Sequence, residues 1–144
     1  MTHATSFIRA ITAGALLVAS ALHVAWARGS TCPYSSTSGL TDNVVGSSRA
    51  PSPGACYAVA TGLGAAAAMV AAPARRPRHR LALGALAFVF AVRAAFGFAG
   101  RTDLLVPGSA SATFRRNDRR LLSPLCTALA LGIVSAALAD RAEC

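Results

Sequence analysis

Seven residues able to do chemistry lie in or beside the apolar stretches of this chain: His23, Trp26, Tyr57, Arg93, Asp118, Ser123 and Cys126. An imidazole, a phenol, a guanidinium and a thiol could together bind a quinone, a haem or an anionic lipid. Arg93 says most, because a charge at membrane depth costs at least about 2.5–3.5 kcal/mol on insertion scales and is rarely left alone. Three readings stand beside one another: snorkelling to the headgroups, a clamp to Asp118, or contact with an anion or substrate. His23 could ligate a metal or haem, relay protons, or hydrogen-bond a neighbouring helix. A metal wants two or more His, Cys or carboxylate ligands, and His3 and His79 lie in other segments, so no metal and no resident cofactor is expected. Trp26 and Tyr57 stand near the ends of apolar runs, where aromatic side chains anchor at an interface.

Motif searches narrow the chemistry further. The cysteines form no C-x-x-C pair, which argues against a thiol oxidase centre. There is no phosphate loop, no H-E-x-x-H helix and no G-x-S-x-G turn. The expectation is a protein that is not an enzyme.

The elements that must carry these residues follow from composition. Of 144 residues, 54% are hydrophobic and only 13% charged, whereas soluble domains average about 25% charged. Mean hydropathy is +0.51. Four apolar runs stand out: Phe7 to Ala27, Ala55 to Ala72, Leu81 to Gly100 and Leu121 to Ala139. Each can cross a hydrocarbon core roughly 30 Å thick at about 1.5 Å per residue. The predicted fold is therefore all-α, a four-helix transmembrane bundle, with residues 1–144 one integral membrane domain. A rival for the first run is a cleaved secretory signal, since Ala25-Trp26-Ala27 has the small-x-small form of a cleavage site. Ala60, Gly64 and Ala68 share a four-residue spacing that would let helices approach closely. Ser123-Pro124 opens the fourth run, with the proline in a first turn where its missing N–H costs nothing.

All fourteen basic residues are Arg, and the net charge is +9. In a soluble protein that excess would point to nucleic acid. Here the arginines cluster between apolar runs, as topology signals and headgroup contacts do, so the expected partner is the lipid bilayer and not nucleic acid. Four crossings place both termini and the Arg75–Arg80 hinge on one side. Arg9, Arg75, Arg76, Arg78, Arg80 and Arg141 then oppose Arg28, Arg49, Arg101, Arg115, Arg116, Arg119 and Arg120. Six against seven sets no orientation, although the compact, unopposed hinge favours a cytoplasmic position. The same alternation brings all seven candidate residues to one end of the bundle. Cys32 and Cys56 also belong there and could form a disulfide if that end is extracytoplasmic; Cys144 is terminal.

At this point the residues resemble a known family. His23-Val24-Ala25-Trp26-Ala27-Arg28-Gly29 is similar to the H-x-x-W-x-x-G signature that closes the first helix of domain-of-unknown-function family 3995, small bacterial integral membrane proteins. Arg93 to Phe98 resembles that family's third-helix element. Phe114, Asp118, Ser123, Pro124, Leu125 and Cys126 fall at the positions of its F-x-x-x-D-x-x-x-x-S-P-L-C stretch. Arg28, Arg115 and Asn117 depart from the pattern by being more polar. The resemblance implies four membrane helices and supplies no activity, substrate or cofactor.

The resulting expectation is a multi-pass protein of the cell membrane, structural or accessory in role, in which His23, Arg93 and Asp118 secure helix ends. A homo-oligomer or a membrane partner protein would suit it. The alternative is a small membrane redox or ligand-binding module using His23, Tyr57, Arg93 and Cys126. A transporter subunit would show broken-helix pairs and inverted repeats, which the sequence lacks.

Overall fold

The computed structural model describes residues 3–46, 50–104 and 111–139. Arg49, Arg141 and Cys144 lie outside them. Four helices are long and apolar enough to cross a membrane, and no strand occurs among the described residues. They are α1 (His3–Ala27), α3 (Pro53–Ala71), α4 (Pro77–Ala99), and a continuous helical stretch Ala112–Ala139 made of α5 (Ala112–Asn117), a π turn (Asp118–Leu122) and α6 (Ser123–Ala139). Short α2 (Thr37–Leu40) and a second π turn (Thr41–Val45) lie between α1 and α3.

Local chemistry sets most of these ends. Gly29 has φ 87° and closes α1: its N–H donates to the Trp26 carbonyl and that of Ser30 to the Ala25 carbonyl, the paired bonds of a Schellman cap. Gly100 ends α4 in the same way, through Gly97 and Phe96. The Ser52 side chain caps α3, with Pro53 behind it, and Pro77 opens α4. Ala72 and Arg76 are extended, as residues preceding proline usually are, so two prolines turn the chain between α3 and α4.

The fourth long helix differs from the sequence expectation. It begins at Ala112 and not at Leu121, and Pro124 sits inside continuous helix. Directly before it, the Ser123 N–H reaches back to the Asp118 carbonyl in π fashion. The wide turn therefore ends just where proline cannot donate, which accommodates it in place of a break.

Packing runs small side in, large side out. α1 lies along α3, α4 along α6, and α1 against α6. The core joins Ala13, Leu16, Ala66, Ala67, Val70, Leu83, Ala87, Ile133 and Ala136, whereas Phe7, Val18, Leu81, Phe88, Val89 and Leu131 are each more than half exposed. Ala60 is buried at the α1–α3 contact but Ala68 is exposed, so the small-residue stripe follows Ala60, Gly64 and Ala67 and not the regular four-residue spacing. Ser20 Oγ donates to the Ala60 carbonyl at 2.7 Å across this contact. Thr61 and Ser135 bond within their own helices, to the Tyr57 and Leu131 carbonyls.

Candidate functional site

On α4, Arg93 and Gly97 are four residues apart and share a face. The π turn presents Asp118 to them, and the first turn of α6 presents Ser123. Arg93 Nη2 donates to Asp118 Oδ1 at 2.7 Å, and Nη1 to Oδ2 at 3.3 Å, a two-pronged ion pair of the kind that fixes a carboxylate geometrically. Asp118 is wholly buried while the Arg93 side chain is 27% exposed. Thr102 Oγ1 also donates to Asp118 Oδ2, at 3.4 Å.

Close approach makes this cluster possible. A β-carbon on Gly97 would stand against the Ser123 hydroxyl, 2.7 Å from Asp118 Oδ2 and 2.9 Å from Arg93 Nη1. The Ser123 hydroxyl is buried and makes no hydrogen bond; it is a small group held between α4 and α6. Cys126 follows on the next turn, partly buried.

His23 and Trp26 belong to a second group. The His23 Nδ1–H donates to the Ala19 carbonyl of its own helix at 2.8 Å, not to a neighbouring helix, and the two rings stand 4.7 Å apart. Trp26 Nε1 donates to the Cys32 carbonyl at 2.7 Å, anchoring the loop to α1. His23, Trp26, Val44, Val45, Pro51, Ala55, Cys56 and Val59 line a cleft of about 270 Å³. Cys32 is exposed and Cys56 buried, and both are free thiols in this structure, without the bond that an extracytoplasmic position would allow between them. Tyr57 is 45% exposed and lines neither group.

The single polar cluster expected from the alternation of helices is thus two groups. Among the described residues no hydrogen bond, ion pair or ring contact joins them. Nor do three or more His, Cys, Asp or Glu gather there in a way that could hold a metal ion.

Three side chains that the sequence offered only as topology charges or as an isolated imidazole act at the opposite end. Arg9 is buried, and its Nη2 donates to the Ala136 carbonyl at 3.1 Å. His79 Nε2–H donates to the Met69 carbonyl at 2.8 Å, and Arg80 Nε to the Ala74 carbonyl at 2.9 Å. Met69 lies in the last turn of α3, where its carbonyl's helical partner would be Pro73, which has no N–H, and His79 supplies the donor in its place. Thr102 was also missed: a hydroxyl after a helix end carries no signal until the Gly100 cap turns the chain back over Asp118.

The profile of a family described as "Protein of unknown function (DUF3995)" matches residues 16–133. That interval holds both groups, from His23 to Cys126. No curated protein and no solved structure matches the chain.

Proposed function

We infer that this chain, which belongs to the DUF3995 family, is a multi-pass protein of the cell membrane with a structural or accessory role. One observation carries the reading. The buried carboxylate of Asp118 is taken up by Arg93 and Thr102 of its own chain, an arrangement that ties the end of α4 to the start of the fourth span. The outward Phe, Leu and Val side chains of all four long helices support the bilayer as its main partner. A second copy or another membrane protein would cover part of that surface.

Substituting Arg93 or Asp118 and measuring folded protein in membranes tests this role. The expected outcome is lower abundance for Arg93→Gln and Asp118→Asn alike. Normal abundance with loss of a defined cellular phenotype contradicts a structural role. A second reading, a small ligand-binding or redox module, is favoured by the cleft beside His23, Trp26 and Cys56. A visible absorption band, or a quinone that leaves with the purified protein, would support it over the first.

A further inference from the structure

We propose that Arg115, Arg116, Arg119 and Arg120 form a binding site for a phosphoryl group, supplied by the head of an anionic phospholipid. Together with Ala112 they line a cleft of about 410 Å³. Their spacing, i, i+1, i+4 and i+5, puts them on one side of a helical turn. The other side is committed inward: Phe114 is 2% and Asp118 0% exposed, while all four arginines are exposed. Asp118, the one acid within this stretch, is spent on Arg93. Among the described residues, none of the four guanidiniums is paired with an acid.

The like charges four residues apart, Arg115 with Arg119 and Arg116 with Arg120, repel each other, and a bound anion relieves that repulsion. Guanidinium forks match phosphate oxygens two at a time, so the quartet can grip one phosphoryl group from several directions. Position selects the source. Leu121 and Leu125, immediately beyond the cleft, are 65% and 47% exposed, so the arginines end where the apolar part of the span begins. That is the level of phospholipid headgroups, with acyl chains against the leucines. This placement rests on the multi-pass reading above. Free phosphate would satisfy the same guanidinium chemistry without the leucines.

The test uses the full chain purified in mild detergent and titrated with phosphatidylglycerol, phosphatidylcholine or inorganic phosphate, with bound species read by native mass spectrometry. The wild-type protein should retain phosphatidylglycerol over phosphatidylcholine, and Arg116→Gln/Arg120→Gln should lower that retention about tenfold or more. Arg75→Gln/Arg76→Gln removes the same charge from the other end and should retain the lipid as wild type does. Equal retention by the Arg116/Arg120 variant, or equal loss in the Arg75/Arg76 control, overturns the site. Inorganic phosphate binding as tightly as the lipid, and displacing it, overturns the lipid assignment. Failure of the multi-pass reading is distinguishable, since the chain would then stay soluble without detergent before any lipid is added.

Discussion

Removing the carboxylate of Asp118 leaves Arg93 aimed at a buried position with no counter-charge. Breaking one side of a buried pair costs about 3–5 kcal/mol, and the partial exposure of Arg93 puts the cost here at the lower end. Asp118→Asn and Arg93→Gln should each lower the thermal midpoint of the detergent-solubilised protein. Their effects should also fall short of adding, with a coupling energy above about 1 kcal/mol in a double-mutant cycle. Simple additivity would mean that the pair does not act as a unit. The importance of Arg93 was legible in the sequence because a charge in an apolar run demands a partner. That of Arg9 was not: near the start of its run it reads as an ordinary terminal charge, and only the arrival of α6 beside α1 shows that it is buried against Ala136. His23 was legible as a polar residue in a span, but its bond to Ala19 of its own helix depends on a rotamer that residue types do not specify.

At the scale of elements, two glycines separate backbone strain from crowding. Gly29 has φ 87° with no atom within 4 Å of an added β-carbon. Gly29→Ala should therefore cost only the left-handed backbone penalty, about 1–2 kcal/mol, read as a shift in denaturation midpoint. Gly97 is helical and crowded by Ser123, Asp118 and Arg93. Gly97→Ala should destabilise by about 1–3 kcal/mol as an overpacked contact, and Ser123→Gly in the same chain should recover part of the loss. No recovery would mean that the α4–α6 crossing is not set by this contact. The apolar runs put the second and third helix starts at Ala55 and Leu81, a few residues late, because the Ser52 cap with Pro53 and the first-turn Pro77 begin each helix before its apolar part. The start at Ala112 is hidden because the arginines of its first turns resemble a solvated connector. Its helical character is carried by Phe114 and Asp118, whose burial is a property of the bundle.

At the scale of the whole molecule, alanines, with a few larger aliphatics, fill the interior while large apolar side chains cover the outside. Water would oppose that arrangement, whereas helices in lipid gain by close approach of small residues. The four long apolar helices were legible because length and hydropathy need no tertiary information. The division of the polar residues into two groups was not, because alternation fixes which end of the bundle a residue occupies and not which helix it faces. The most direct measurement is the labelling of single cysteines by a membrane-impermeant maleimide in intact cells, in a chain otherwise lacking cysteine. His3→Cys and Arg78→Cys should share one side of the membrane, and Ser38→Cys and Arg116→Cys the other; all four positions are exposed. Reaction of His3→Cys and Ser38→Cys from the same side, or of all four from both sides, would contradict four crossings.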